Sequence, residues 1–118
     1  MKSTKTVLVI EDTQAIRESL CGLLETCGFA VQGCEDGESA LEAAAENIFQ
    51  IIITDYRMPN MNGVEVTKHL RKRFPGSIII GVSSDDMGKA FLAAGADVFL
   101  LKPYRNADIL DLVISKQR

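Results

Sequence analysis

The residue with the clearest capacity for chemistry is Asp55, a carboxylate at the end of an apolar run. Ile51 to Thr54 precede it, and a segment with proline, asparagine and glycine breakers follows it at residues 56–63. In α/β folds, functional groups collect at the carboxyl ends of the strands, so an acidic residue here is a candidate nucleophile or metal ligand. Aspartate is also a common turn residue, and taken alone Asp55 is better explained as a solvated loop residue.

Three further apolar runs also end in polar side chains: Glu11 and Asp12 after the first, Ser83 after the fourth, and Lys102 after the fifth. Three close carboxylates repel one another unless a cation neutralises them, and oxygen ligands with room for water favour Mg²⁺ over Zn²⁺ or Ca²⁺. A hydroxyl and an ammonium can both bind phosphoryl oxygens. Taken one at a time, these residues are better explained as helix-entry acids, a loop serine and a surface lysine.

The elements that must position these groups follow from the spacing of the apolar runs and glycines. The predicted strands are Thr6–Ile10, Phe29–Cys34, Gln50–Thr54, Ser77–Val82 and Val98–Leu101. The predicted helices are Gln14–Thr26, Glu38–Glu46, Val64–Phe74, Asp86–Ala94 and Ala107–Lys116. Strands and helices therefore alternate through the whole chain.

The strands are rich in valine and isoleucine with little alternation, which calls for a parallel sheet between two helix layers. Right-handed crossovers limit the topology, and the usual solution is a three-layer α/β (βα)5 flavodoxin-like fold with strand order 2-1-3-4-5. In that order strands one and three are neighbours, so Glu11 and Asp12 are expected beside Asp55. Pro103 restricts the conformation of Lys102, and a cis bond between them is a hypothesis.

Length and composition predict a single domain over residues 1–118, since folding at this size buries about two-thirds of the chain's surface. A hydrophobic share of 47% and a charged share of 25% are those of an ordinary globular protein. A net charge of -3 provides no electrostatic surface for direct nucleic-acid binding. No apolar stretch reaches the roughly 18 residues that span a bilayer, and the N-terminus lacks a signal-peptide pattern. We therefore expect a cytoplasmic protein without membrane insertion.

The cysteines and the single histidine show no spacing typical of a redox pair or a metal site. Cys27 continues the apolar stripe of the first helix, so we expect it to be buried. Cys21 and Cys34 are also interpreted as structural thiols. His69 lies in a polar stretch and is expected to be exposed and chemically idle.

Together the motifs resemble those of the receiver domain of two-component response regulators, and the resemblance covers essentially the whole chain. The matching motifs stand in the family's order and approximate spacing: Glu11-Asp12, Asp55 with Met58-Pro59 and Gly63, Ser83, and Lys102-Pro103 preceded by Ala94-Gly95-Ala96-Asp97. No single motif suffices for this identification, but the combination is specific.

The resemblance implies that Asp55 accepts a phosphoryl group from a sensor histidine kinase or a phosphotransfer protein. It also implies that Asp12 and Asp55 bind Mg²⁺ directly, that Glu11 does so through water, and that the backbone carbonyl of Arg57 supplies another oxygen. Phosphoryl transfer depends mainly on positioning and charge neutralisation, and an ionised aspartate needs no general base. The expected protein is a signalling phosphoacceptor rather than an enzyme, and it promotes its own Mg²⁺-dependent phosphorylation and dephosphorylation.

Loop residues around the acceptor have further implied roles. Ser83 and Lys102 would hold the transferred phosphoryl oxygens, and the backbone N–H of Ser84 is a further candidate contact. Arg57 and Asp85 stand at positions that tune the lifetime of the aspartyl phosphate in this family. We hypothesise that their side chains form an ion pair over the site.

The resemblance also implies a switch, in which Phe99 on strand five and the hydroxyl after strand four change conformation on phosphorylation. The output surface would be helix four, strand five and helix five, acting on a downstream effector domain or protein as a monomer or a phosphorylation-dependent dimer. One departure affects this surface. The interval from Ser83 to Lys102 is shorter than expected by about three residues, nearly one helical turn, so helix four or the loop before it is abbreviated.

Three alternatives share parts of this pattern. A flavodoxin-type nucleotide binder requires a phosphate loop after strand one, where the acidic Glu11 and Asp12 would repel phosphate. A phosphatase of the haloacid-dehalogenase type requires an aspartate two positions after its nucleophile, where Arg57 stands. The main alternative is a phosphorylation-independent protein interaction module on the same fold.

Overall fold

The computed structural model describes residues 5–116, in which strands and helices alternate as predicted. The strands are β1 (Thr6–Ile10), β2 (Ala30–Cys34), β3 (Ile51–Asp55), β4 (Ile78–Ser83) and β5 (Val98–Leu101). The helices are α1 (Gln14–Thr26), α2 (Gly37–Glu46), α3 (Gly63–Arg73), α4 (Gly88–Ala94) and α5 (Asn106–Lys116). Every boundary lies within about two residues of its prediction, the usual scatter of element ends.

The five strands form one parallel sheet in the order β2-β1-β3-β4-β5, which confirms the predicted topology. Alternate side chains of each strand face opposite helix layers. Leu8 and Ile10 of β1 pack with α2, α3 and α4 on one face, whereas Val7 and Val9 pack with α1 and α5 on the other. The central strands are therefore buried on both faces, and their carboxyl ends share one edge of the sheet.

Helix α4 begins at Gly88 rather than at the predicted Asp86. The chain before it is tied to the end of β4, because the backbone N–H of Asp85 donates to Ser83 Oγ at 2.9 Å and that of Met87 donates to Asp85 O at 2.8 Å. Gly95 ends the helix with φ at +117°, a conformation that favours glycine. Helix α4 therefore has seven residues.

The prediction that Cys27 is buried was wrong. Helix α1 ends at Thr26, and the chain turns at Cys27 and at Gly28, which has φ at +95°. Cys27 therefore leaves the helical stripe and is exposed, whereas Cys34 is buried and Cys21 half-buried. His69 is exposed, as expected. None of the helices within residues 5–116 is long and apolar enough to cross a membrane.

Candidate functional site

Three carboxylates meet at the carboxyl edge of the sheet. Glu11 and Asp12 follow β1, Asp55 ends β3, and one carboxylate oxygen from each lies within 4.8 Å of the others. Glu11 and Asp55 are buried, with 4% and 7% of their surfaces exposed, and Asp12 is exposed. The predicted juxtaposition is present because β1 and β3 are paired with Ile10 beside Thr54.

Lys102 is the cation of this site. Its Nζ lies 3.3 Å from Asp55 Oδ1 and 3.4 Å from Glu11 Oε1. Burial lowers the pKa of Lys102, but attraction to Asp55 and Glu11 and hydrogen bonds to both outweigh it, so the net pKa is raised. The resemblance implies that this ammonium binds phosphoryl oxygens, and its pairing with the two buried carboxylates is visible only in the structure.

The backbone brings Lys102 to this point. Its N–H donates to Ser83 O at 2.7 Å, which extends the β4–β5 pairing by one residue. The bond from Lys102 to Pro103 is cis, in agreement with the hypothesis.

Glu11 is held by its neighbours and resists ionisation. Its backbone N–H donates to Cys34 O at 3.0 Å, and its Oε2 accepts from the N–H of Thr13 at 3.1 Å. Burial raises the pKa of Glu11, and the charge of Asp55 raises it further, whereas the Thr13 hydrogen bond and Lys102 lower it; the net pKa is raised. A divalent cation beside Glu11 would oppose this shift by favouring the charged form.

Asp55 is positioned by the start of α3. A side chain on Gly63 would collide with the backbone carbonyl oxygen of Asp55, so only glycine allows the helix to approach so closely. The N–H of Gly63 donates to Tyr56 O at 2.9 Å. A capping box between Asn62 and Glu65 fixes where α3 begins. Gly63 was recognised as part of a motif, but its contact with Asp55 depends on the packing of α3.

Ser83 and the two loop residues form a connected group beside the acceptor. Ser83 is buried at the end of β4 and its Oγ accepts from the N–H of Asp85, which leaves its proton available to donate. Arg57 Nε lies 2.7 Å from Asp85 Oδ2, so the predicted ion pair is present. Ser84 is exposed. The pair joins the loop after β3 to the loop after β4.

Phe99 belongs to an aromatic group that sequence reasoning missed. Its ring stacks on Phe91 of α4 with centroids 5.7 Å apart, and Tyr56 meets Phe91 edge to face at 6.2 Å. Phe91 is fully buried over Gly81, where any side chain would overlap the ring. A glycine inside the otherwise apolar strand β4 was the available signal of this close approach.

The donor set fits a hard divalent cation. Glu11, Asp12 and Asp55 offer only oxygen, and Asp12 lies on the exposed side where water can complete a coordination shell. Three acidic side chains face the one ammonium of Lys102, so the site offers more carboxyl oxygens than this ammonium pairs with. These properties match Mg²⁺, which prefers a few carboxylates together with several waters.

Comparison with known proteins agrees with this geometry. Residues 7–114 match the family model described as the response regulator receiver domain. Response regulator MprA of Mycobacterium sp. strain KMS is 35% identical over 107 residues, which are 88% of this chain and 46% of that relative. The chain therefore spans about half the length of this curated relative.

Two solved structures share the fold. A CheY-like response regulator receiver domain protein from Methanospirillum hungatei JF-1 has a TM-score of 0.92 and 29% identity, covering 97% of this chain and 94% of its own. A response regulator protein from Burkholderia pseudomallei, solved with a phosphorylated aspartic acid, a calcium ion and citrate, has a TM-score of 0.86 and 27% identity. That match covers 91% of this chain and 65% of the other.

Proposed function

The chain belongs to the response regulator receiver domain family, a family of signalling domains, and from this premise we propose that it accepts a phosphoryl group on Asp55. The observation that carries the proposal is the position of Asp55, nearly buried at the sheet edge between two acidic residues and the ammonium of Lys102. The phosphorylated aspartic acid of the Burkholderia protein supports it. Response regulators interact with histidine kinases and downstream effectors, and we propose both classes of partner here.

The transfer requires little of the protein beyond placement. A carboxylate oxygen of Asp55 forms a bond to phosphorus while the bond from phosphorus to the donor's imidazole nitrogen breaks, and that nitrogen keeps the electron pair. The Asp55 carboxylate is already anionic, so no base has to remove a proton from it. The ammonium of Lys102 pairs with the Asp55 carboxylate before transfer and can pair with the phosphoryl oxygens afterwards. The Ser83 hydroxyl, whose oxygen is engaged by Asp85 N–H, is free to donate to them.

We propose that Mg²⁺ binds Asp12 and Asp55 directly, Glu11 through water, and the carbonyl of Arg57. When bound, the ion neutralises charge on the carboxylates and on the phosphoryl oxygens. The protein's part is to keep the acidic side chains together without it. The contact of Lys102 with Glu11 and Asp55 does this, because it offsets part of their repulsion.

We propose that α4, β5 and α5 form the output surface. Each carries one large apolar side chain that is more than half exposed: Leu92 at 52%, Leu101 at 54% and Ile114 at 56%. Phe99 connects this surface to the site, because its ring stacks on Phe91 and Phe91 contacts Tyr56, the residue after the acceptor. A downstream effector domain or protein, or a second phosphorylated copy, would bind here.

Intact-mass measurement with acetyl phosphate and Mg²⁺ tests the central proposal. The wild type should gain the mass of one phosphoryl group, whereas Asp55→Asn, which keeps the shape but not the nucleophile, should gain none. Asp111→Asn on α5 is the matched control and should be modified like the wild type. An unmodified wild type with bound Mg²⁺ would favour the phosphorylation-independent interaction module instead.

We propose that the Arg57–Asp85 pair sets the lifetime of the aspartyl phosphate. The pair joins the loop that follows Asp55 to the loop that follows Ser83, so breaking it should open the site to water. Charge reversal by Arg57→Glu should accelerate dephosphorylation severalfold, measured as loss of the phosphorylated mass with time. The exchange Arg57→Asp with Asp85→Arg restores opposite charges and should recover most of the wild-type lifetime. Equal rates in all three proteins would show that the pair has no such role.

A further inference from the structure

Arg17 of α1 reaches back to the acidic loop without belonging to the group of charged residues around Asp55. Its Nη1 donates to the backbone carbonyl oxygen of Glu11 at 2.7 Å. That carbonyl is part of the peptide unit that joins Glu11 to Asp12, so the hydrogen bond determines how this unit is oriented between the two acidic side chains. A charged donor makes such a bond stronger than one between neutral groups.

The path of the Arg17 side chain depends on Gly33 in β2. A Cβ atom on Gly33 would lie 3.2 Å from both Cγ and Cδ of Arg17 and 3.1 Å from Cys21 Sγ. These distances are tighter than ordinary van der Waals contacts, so an added methyl group would require Arg17 or Cys21 to shift by a few tenths of an ångström. Beside Gly33 an open cleft of about 470 Å³ is lined by Arg17, Ser39 and Glu42 among others. The Arg17 side chain therefore has room to make this shift without unfolding the chain.

The acidic loop needs such a contact because its helix provides little support. Thr13 stands at the N-cap of α1 in an extended conformation, and its side chain makes no capping hydrogen bond. Asp12 is exposed and must stay close to two other acids. Lys102 and the Thr13 N–H hold the Glu11 side chain, whereas the Arg17 guanidinium holds the carbonyl of the peptide unit that leads to Asp12.

We propose that Arg17 is a positioning residue for the metal site, which holds the Glu11–Asp12 peptide unit in the orientation that lets both carboxylates serve one cation. This inference rests on the proposed Mg²⁺ site and deepens it. Arg17 touches neither the acceptor nor the proposed metal position. Residues that orient metal ligands typically change metal affinity by about 10- to 100-fold when they are replaced.

The direction in which the Mg²⁺ Kd changes distinguishes a positioning role of Arg17 from a purely electrostatic one. Removing a cation near an acidic site should by itself tighten Mg²⁺ binding, because the local negative charge becomes greater. Loss of positioning should weaken it. Arg17→Gln should therefore raise the Mg²⁺ Kd by about tenfold, and Arg17→Lys, which keeps one charged donor, should raise it less. Gly33→Ala keeps every charge and should also raise it.

The experiment is an Mg²⁺ titration of the ¹⁵N-labelled full chain followed by amide chemical shifts, with Tm recorded in Mg²⁺-free buffer to check folding. Lys72→Gln, in the last turn of α3, removes the same charge at a distant position and should leave the Kd unchanged. In the metal-free protein, Arg17→Gln should also speed hydrogen exchange at the Thr13 amide, which donates to Glu11 Oε2 across the same loop, a result that does not depend on the metal. If Arg17→Gln does not fold, Arg17→Lys and Gly33→Ala carry the same test.

If the wild type binds Mg²⁺ and Arg17→Gln binds it with an unchanged or lower Kd, this proposal is overturned and the proposed metal site is not. An equal loss of affinity in Lys72→Gln would also overturn it, because the loss would then not depend on the contact between Arg17 and the Glu11 carbonyl. A wild type that binds no Mg²⁺ would overturn the metal site of the proposed function and this inference with it.

Discussion

The edge of the sheet around Asp55 and the segment from α4 to β5 are stabilised by different kinds of contact. At the edge the contacts are ion pairs and hydrogen bonds, and Lys102 pairs with both Glu11 and Asp55. In the α4–β5 segment the inward contacts are aromatic, with the ring of Phe91 over Gly81 and against Phe99. Polar contacts are strongly directional, whereas packed rings tolerate small shifts, so the first region suits chemistry and the second suits a change of shape.

The two ends of α4 also differ. At the C-terminal end Arg71 donates to Gly95 O at 2.8 Å and pairs with Asp97 at 2.7 Å, and Asp97 accepts from the N–H of Ile79 at 2.8 Å. At the N-terminal end Met87 makes no side-chain cap and the first turn contains no acidic residue. We therefore expect movement to begin at the N-terminal end of the helix, next to the loop that carries Asp85.

The largest expected effect is a loss of stability when the buried ring of α4 is removed. Phe91→Ala removes a fully buried ring and should lower the free energy of unfolding by about 3–5 kcal/mol, as measured by urea denaturation. Leu92→Ala, the next residue on the same helix and 52% exposed, is the control and should change it by less than about 1 kcal/mol.

Phosphorylation then tests whether the regions are independent. At a temperature where Phe91→Ala remains folded, Asp55 should still gain the phosphoryl mass, because its pairing with Lys102 does not involve the Phe91 ring. Loss of modification in the folded variant would show that phosphoryl transfer depends on the aromatic group.

A smaller effect concerns repulsion at the sheet edge. Asp12→Ala removes one of three clustered carboxylates and should raise Tm by about 2–4 °C in Mg²⁺-free buffer, recorded by circular dichroism. It should also prevent Mg²⁺-dependent modification of Asp55. Asp111→Ala removes an exposed carboxylate from α5 and should not raise Tm. A lower Tm for Asp12→Ala would argue that the acidic cluster is not under electrostatic strain.

The smallest effect is a dependence of stability on pH. Burial, together with Asp55 and Asp12, raises the pKa of Glu11 above its ordinary 4.5 against the opposing Thr13 hydrogen bond and Lys102. The folded state therefore binds this proton more tightly than the unfolded state, and the associated stability is present below pH 4.5 and is lost as pH rises through the folded pKa.

Urea denaturation across this range in Mg²⁺-free buffer provides the measurement. The side chain of Gln at position 11 in Glu11→Gln cannot ionise. The free energy of unfolding of this variant should therefore increase relative to that of the wild type as pH rises. Parallel pH profiles for the two proteins would mean that burial does not control the ionisation of Glu11.

Much of the site followed from local sequence. Apolar runs ending at Ile10, Thr54 and Val82 predicted strands, and parallel pairing then required their polar ends to meet, because all strands of a parallel sheet end at the same edge. The short interval between Ser83 and Lys102 predicted that α4 or the loop before it is abbreviated, since chain length limits how many helical turns can form, and α4 has seven residues.

Contacts between distant residues were decided only by the tertiary structure. Three glycines that look alike in the sequence are required for different reasons. A Cβ atom would meet the backbone carbonyl of Asp55 at Gly63, the ring of Phe91 at Gly81, and the side chain of Arg17 at Gly33. Each cause depends on which side chain packs opposite, and that is set by helix placement rather than by local pattern. The exposure of Cys27 has the same origin, because a turn one residue after α1 removes it from the helical stripe.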